Sequence, residues 1–424
     1  MKHVIIGAGI TGLYLAYKLI KIKNIDPNDI VIYDRRTRIG GRIYTYSNKG
    51  FKYSVGAGRL NKNHKYVMKL IKDFNLEDQI IDISKNNCYF INGKMMTEKE
   101  LLKYYKSKYN SLEELWDYAI NYKTTVDKNN YNLHNYFSLF MPTNEVEILN
   151  KSLGYIGEMF DMNAHNAILT LRKDFDVKKN EFFVLKDGIQ VLCDVLYEYL
   201  KSLNVKIMLK SNMTEINDDD KTYIVHNKKY KYEKIYFTIK RKDYINLDYF
   251  KRYKNLFNSV SDGRLLRIYA QFKDVWFKDM PKIITDNKLQ FIIPIDYEKG
   301  LIQISYSDSY NADFWTSIKS NKKVKMQIKN WTSIKNNKKV KMQIKKLLDE
   351  MFPDKKIKEP DWITMHYWDA GDHMWNPGTN SKNVQKKLDD IYLKKGIYIL
   401  GETYCDRQAW IEGAIETVHK KVLN

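Results

Sequence analysis

His3-Val4-Ile5-Ile6-Gly7-Ala8-Gly9-Ile10-Thr11-Gly12 opens the chain with a short apolar run that ends in spaced glycines. Leu13-Tyr14-Leu15-Ala16-Tyr17-Lys18-Leu19-Ile20 continues with helical spacing, and a second apolar run, Ile30-Val31-Ile32-Tyr33, ends at Asp34. Strand, glycine turn, helix, strand and terminal acid together make the β-α-β dinucleotide fingerprint. Each part has a physical task. Gly7 permits the tight turn, Gly9 lets the backbone approach a pyrophosphate, and Gly12 lets helix and strand pack closely. Ile10 and Thr11, within the glycine turn, are read as cofactor-binding positions, and the helix N-terminus that follows offers free N–H groups and a positive dipole end to phosphates. Asp34 sits where a carboxylate accepts both hydroxyls of a ribose.

Arg35-Arg36-Thr37-Arg38-Ile39-Gly40-Gly41-Arg42 follows at once. A nicotinamide dehydrogenase needs no second glycine pair and fixed arginine just past its ribose acid. An extended FAD does, because its flavin half travels on beyond the first helix. Gly40 and Gly41 would let the backbone pass under it, and Arg42 could neutralise pyrophosphate oxygens. The plainer alternative is that Arg35, Arg36, Arg38 and Arg42 form a solvated basic loop. Their position straight after the ribose acid favours the cofactor.

With 424 residues the chain can bury a large core and form two domains or one elaborated one. Alternating strand and helix patterns argue for α/β architecture. Cys88, Cys193 and Cys405 have no regular spacing, so neither a disulfide framework nor a metal site is expected, and a reducing compartment is. A first strand at residue 3 leaves no room for a signal peptide, and no apolar run reaches membrane-spanning length. The expectation is a soluble, intracellular protein. The net charge of +21 has two readings. It could draw the protein to nucleic acid, an anionic membrane or an acidic substrate. Coding bias explains it better, because Lys, Asn, Ile and Tyr crowd the chain and the lysines are scattered. Weak nonspecific polyanion binding remains an expectation.

Along the chain, Thr97–Lys123 has helical periodicity, with Leu101, Leu102, Tyr105, Leu112, Leu115 and Trp116 as its stripe, and Thr143–Met159 is helical too. Phe182–Leu185, a turn at Gly188 and an amphipathic helix to Leu203 restore α/β character. Strands are predicted at Val205–Leu209, Tyr223–Val225, Tyr236–Ile239, Leu265–Phe272, Leu289–Pro294, Gly300–Tyr306 and Gly396–Leu400, with a last helix around Glu412–Val422. The expected architecture is a Rossmann-like FAD-binding domain built from residues 1–75, 180–245 and 390–424. An inserted α+β substrate domain, a mixed or antiparallel sheet plus helices, takes 76–179 and 246–389. Within the insert, Trp315–Lys329 and Trp331–Lys345 are the same fifteen residues apart from Ser320 versus Asn336. A period of 16 turns a helix face by about 160°, so the copies cannot share one face of a straight helix. The expectation is a local duplication that lengthens a surface helix–loop segment.

With Asp34 and Gly40-Gly41-Arg42 in place, the chain resembles the flavin-containing amine oxidase superfamily, which includes monoamine and polyamine oxidases, with protoporphyrinogen oxidase and carotenoid desaturases as cousins. Further stretches match in order over nearly the whole chain. Val55-Gly56-Ala57-Gly58-Arg59 resembles the segment that passes beside the flavin. Phe182–Leu192 resembles the turn and helix that re-enter the FAD domain, and Met213 holds the position whose backbone flanks the adenine. Leu400-Gly401-Glu402 and Gln408–Glu416 look like the closing motif. There the resemblance implies that Glu402 meets the phosphate–ribityl part of FAD. It also implies that backbone N–H groups near Ile411 and Ala414 face the flavin N1–O2 edge, where a dipole end stabilises negative charge.

The resemblance implies hydride transfer from the carbon beside nitrogen to flavin N5, with O2 as electron acceptor and peroxide as product. Trp410 holds one aromatic wall position by motif. Trp375 or His373, in Trp368–Gly378, is the candidate for the opposite wall, unless these residues are simply core. That stretch has no cysteine, so the FAD is expected to be non-covalent. One position departs from the family. Gly263–Lys273 resembles the strand carrying a flavin-facing lysine, and that position reads Arg267. Arginine cannot lose its proton, and its planar fork suits anions. An altered oxidative half-reaction, a shifted register, a core ion pair, or a carboxylate- or phosphate-bearing substrate each account for it, and Arg59 nearby favours the last. The readings left open are an oxidase of amines or amino-acid-like molecules, a protoporphyrinogen oxidase- or desaturase-like dehydrogenase, and an FAD-binding protein with little turnover.

Overall fold

The computed structural model describes residues 2–48, 50–84, 86–175, 181–318 and 331–423. A five-stranded parallel sheet runs in the order Lys206–Met208, Ile30–Tyr33, His3–Ile6, Lys234–Phe237, Ile397–Ile399. Its strands come from three widely separated stretches. Each short strand is apolar on both faces, as a sheet covered on both sides requires. Ile5, Ile30, Ile32 and Tyr236 pack into the helical layer. Val4, Ile6, Val31, Tyr33, Ile235 and Phe237 pack under a three-stranded antiparallel sheet of Met213–Asn217, Thr222–Val225 and Lys228–Lys231.

The helix Ile10–Lys23 is buried continuously from Ile10 to Leu19. It lies among the helices Val191–Ser202 and Ile411–Val418, which explains its weak amphipathicity. Even Lys18 is buried there, paired with Asp73 at 3.3 Å. A Cβ on Gly12 would run into the carbonyl of Gly7 and the Ile5 side chain, so the helix approaches the first strand only because residue 12 is glycine. Gly7 itself takes φ +115° at the turn.

The other sheet has eight strands, in the order Trp331–Lys335, Trp362–Trp375, Val260–Gln271, Leu301–Asp308, Phe291–Asp296, Lys282–Thr285, Asn87–Ile91, Lys94–Met96. Its pairings are antiparallel except between Lys282–Thr285 and Asn87–Ile91. Helices from Glu98–Tyr104 to Ala164–Thr170 cover one face, and Ser309–Ser317 with Lys338–Met351 covers the other.

Several elements differ from the sequence reading. The periodic stretch 97–123 is two helices, Glu98–Tyr104 and Leu112–Asn121, because Lys106 takes a left-handed φ of +53° between them. The fourteen-residue strand Trp362–Trp375 lacks clean alternation, since nearly every residue is buried between neighbours on both faces. In the duplication, Trp331–Lys335 is an edge strand and Lys338–Met351 a helix, rather than one helix–loop segment. The first copy begins at the end of the helix Ser309–Ser317, and the rest of it lies outside the described residues. Identical Trp-Thr-Ser sequences are therefore helical at 315–317 and extended at 331–333. Tertiary pairing, not local propensity, decides between them. Among the described residues no helix is long and apolar enough to cross a membrane, and no cluster of ligating side chains suits a metal ion.

Candidate active site

One large cleft, about 1760 Å³ in volume, lies between the two sheets. Its first half is built largely of backbone. Gly9, Ile10 and Thr11 line it at the start of the buried helix, which has no side-chain cap, so its N–H groups are left to the cleft. A Cβ on Gly9 would meet nothing closer than the Gly40 carbonyl at 4.0 Å, so this is open space. Gly40 and Gly41 take φ of +88° and +59° and carry the chain back across Gly9. The Asp34 carboxylate is held by the N–H of Ala8 and the N–H of Arg36, each at 2.8 Å. Arg36 donates to the Gly41 carbonyl at 3.2 Å, and Arg35 pairs with Asp243 at 2.8 Å. Met213 is buried at the same end.

Charges in this half are paired. Arg42 forms an ion pair with Glu402, which also accepts from the Ala409 N–H at 3.2 Å. His373 sits between Glu402 at 2.5 Å and Asp262 at 3.4 Å, and Asp262 pairs with Arg241 at 2.6 Å. Burial works against the Glu402 charge, but Arg42 and His373 pull its pKa down to about 2. Burial likewise opposes the His373 charge, and Glu402 and Asp262 outweigh it, so the imidazole is held above its usual range. The helix Ile411–Val418 brings a second uncapped N-terminus to the cleft, at Trp410, Ile411 and Ala414.

Side chains build the second half. Arg267, on the strand Val260–Gln271, is 8% exposed and lines the cleft. Its guanidinium donates to the Ser54 carbonyl at 3.0 Å and lies 4.5 Å from the Tyr306 ring centre. It fills the space where a Cβ on Gly58 would be, which accounts for that glycine. No carboxylate lies within ion-pair reach of it among the described residues, so the mundane core salt bridge is absent. Arg59 stands beside it among Phe182 at 4.3 Å, Tyr155 at 5.6 Å and Trp410 at 5.7 Å. Trp410 stacks on Phe182 with ring centres 5.9 Å apart, and His64 meets it edge-on at 5.1 Å. Behind, His64 contacts Asp174 at 3.2 Å and Asp174 binds Arg407, a buried ionic brace for the wall.

Three buried carboxyls and one lysine complete this half. Glu158 is pushed up to about 8 by burial and by Asp308. Burial lifts Asp308 to about 6 although amides of Gly157, Gln290 and Ile156 bond to it. Asp372 is raised by burial, then by Glu158 and Glu402. Lys282 is lowered to about 7 by burial and by Arg59.

The chain is similar to several known proteins. Residues 5–74 match the NAD(P)-binding Rossmann-like domain family. An L-amino-acid oxidase of Sistrurus catenatus edwardsii is 26% identical over 251 residues, 52% of this chain and 46% of that protein. An L-amino acid oxidase of Cerastes cerastes is 34% identical over 93 residues, 21% of this chain and 17% of its own. By sequence and by fold, the chain resembles the flavin-containing amine oxidase superfamily. It spans about half the length of the curated relatives first matched, 46% of the Sistrurus protein. A crystal structure from Exiguobacterium sp. 255-15, provisionally named a protoporphyrinogen oxidase, superposes with a TM-score of 0.71 at 15% identity. That match covers 99% of this chain and 97% of the other, and it shows that the two chains share a fold.

Within that fold, Gly7, Gly9, Ile10, Thr11, Asp34, Arg35, Arg36, Gly40, Gly41, Arg42, Gly56, Ala57, Gly58, Arg59, Met213, Arg267, Glu402, Trp410, Ile411 and Ala414 all line the one cleft. Gly12 and Gly401 stand just behind it, Gly401 with φ +99° and its N–H donated to Thr417 at 2.9 Å. His373 and Trp375 do not form the opposite wall. Both are fully buried; the Trp375 indole N–H donates to the Cys405 carbonyl at 2.8 Å, and His373 is spent on Glu402 and Asp262. Their strand turns both into the core, with Met374 between them, while Asp372, the residue before His373, faces the cleft. Glu158, Asp308 and Lys282 also escaped the sequence reading. Asp372 stood in the quoted stretch, and its odd spacing from His373 and Trp375, which puts it on the other face of the strand, was the one available signal.

Proposed function

We propose that the chain is an FAD-dependent oxidoreductase that oxidises the C–N bond of an amino-acid-like substrate, with O2 as electron acceptor. The carrying observation is the Arg267 guanidinium, buried, without a carboxylate partner, at the far end of the cleft that begins at the dinucleotide glycines. The residues present fit an extended dinucleotide: open space at Gly9, an oriented Asp34, and two uncapped helix N-termini toward one cleft. Asp34 would hold the adenosine ribose, the N–H groups of Ile10 and Thr11 the pyrophosphate, and Arg42 with Glu402 the ribityl–phosphate side. When bound, FAD supplies hydride acceptance from the carbon beside nitrogen and electron delivery to oxygen. The protein's own residues do the rest. Arg267 takes the substrate carboxylate in a bidentate pair, which fixes one end of the molecule. Trp410, braced by Phe182 and His64, forms an apolar wall that keeps water from the reacting carbon. The free N–H groups at Ile411 stabilise negative charge that develops against them.

The test is anaerobic mixing of FAD-loaded protein with panels of L-amino acids, simple amines and porphyrinogens. Loss of the oxidised flavin absorbance with amino acids, and not with amines lacking the carboxylate, is expected. No bleaching by any of them favours a binding role for the fold. Peroxide release on admitting air separates an oxidase from a dehydrogenase.

A further inference from the structure

An amino acid arrives with its nitrogen as ammonium, and hydride can leave the adjacent carbon only when that nitrogen is a neutral amine. Inside a buried chamber the proton needs an acceptor in the walls. Resting on the amino-acid reading above, we propose that the carboxylate of Glu158 is the general base that takes this proton.

Glu158 lies on a single π-helical turn, Gly157–Asp161, a rare distortion that re-aims a side chain. The turn is pinned from outside. Asp308 accepts from the N–H of Gly157 at 2.9 Å, the N–H of Ile156 at 3.3 Å and the Gln290 amide at 2.6 Å. Asp161 accepts from the Ser309 hydroxyl at 2.7 Å. Those two carboxylates hold the turn, whereas Glu158, 7% exposed and lining the cleft, receives no hydrogen bond from another residue among those described. The charged groups that face it are Asp308, Arg59, Asp161 and Asp372. Tyr155 feels Glu158 and both arginines, Arg59 reaches the Trp410 wall, and Glu158, Tyr155, Arg59 and Arg267 line the same cleft, so Glu158 and Arg267 bound one chamber.

The competing acceptors fit less well. One oxygen of Asp372 is sealed against Gly263 without a partner. Lys282 becomes a cation on accepting a proton and would repel the ammonium it serves. An ionised Glu158 attracts the ammonium beforehand and is left neutral afterwards. In the step an O–H bond forms on Glu158, the N–H bond breaks, and the electron pair stays on nitrogen. Nothing is oxidised or reduced until hydride leaves. Burial and Asp308 hold the Glu158 carboxyl at about 8, close to the range in which an amino-acid ammonium gives up its proton.

The experiment uses FAD-loaded protein. Infrared difference spectra between pH 6 and pH 9 should show a protonated-carboxyl band that titrates near the raised value and is lost in Glu158→Gln. In anaerobic stopped-flow reduction by an L-amino acid, wild-type kcat/KM should rise with pH and level off above that same ionisation. Glu158→Gln should be about 100-fold slower at pH 7 and lose that limb. It should approach wild type only where the substrate ionises by itself, and Glu158→Asp should keep a displaced limb. A Glu158→Gln protein that retains the wild-type limb, or an unchanged infrared band, overturns the proposal. Failure of the amino-acid reading looks different: wild-type flavin is then reduced at no pH.

Discussion

Glu402 and Glu158 line the same cleft and are equally buried, each 7% exposed, yet their carboxyls are displaced in opposite directions. Glu402 has Arg42, His373 and the Ala409 N–H against it and falls to about 2. Glu158 has Asp308 and no donor from a neighbour, and rises to about 8. Burial is common to both, so partners decide the sign. The half of the cleft around Glu402 is finished by the protein itself. In the other half, among the described residues, Glu158 receives no hydrogen bond from another residue and Arg267 has no carboxylate partner, the two openings the proposed substrate would fill.

Substitutions at glycine separate the halves most strongly. Gly12→Val drives a side chain into the Gly7 carbonyl and should cost at least about 3 kcal/mol, read as loss of cooperative thermal unfolding. Gly9→Val enters open space, so the fold should survive while FAD uptake collapses. If both variants lose the fold, Gly9 serves packing and not the cofactor.

Arg267→Gln should keep its flavin and lose roughly 100-fold in kcat/KM for amino acids, most of it in KM. Equal loss of FAD would move Arg267 to the cofactor half. Asp34→Asn should do the reverse, weakening FAD by about tenfold with little change in substrate KM. A further pair of effects is on stability against pH. Glu402, with its folded pKa lowered, contributes stability that is full above the ordinary carboxylate range and lost as pH falls toward about 2. Glu158, with its folded pKa raised, contributes stability present below that range and lost as pH climbs to about 8. Glu158→Gln should therefore flatten the alkaline side of the stability curve and Glu402→Gln the acid side, as chemical denaturation across pH would show.

The cofactor half was legible because it is written in glycines. Gly7, Gly12 and Gly40 each answer a backbone demand that no other residue meets, and such demands leave a fixed spacing in the chain. Arg267 was legible only as a departure from the lysine that the resemblance implies on the strand Gly263–Lys273. Glu158, Asp308 and Lys282 were not, because ordinary residues become a chamber only when distant strands bring them together. His373 and Trp375 misled for a related reason: they stand one and three residues after Asp372 in the strand and so share the face opposite to it. The duplicated Trp-Thr-Ser shows the same limit in small, one copy closing a helix and the other pairing with Trp362–Trp375.

The most direct measurement is the flavin content of the purified chain, with and without added FAD. Acid precipitation should then release a yellow supernatant, with about one FAD per chain, and leave a colourless pellet. A folded protein that stays colourless and takes up no FAD would contradict the account at its root.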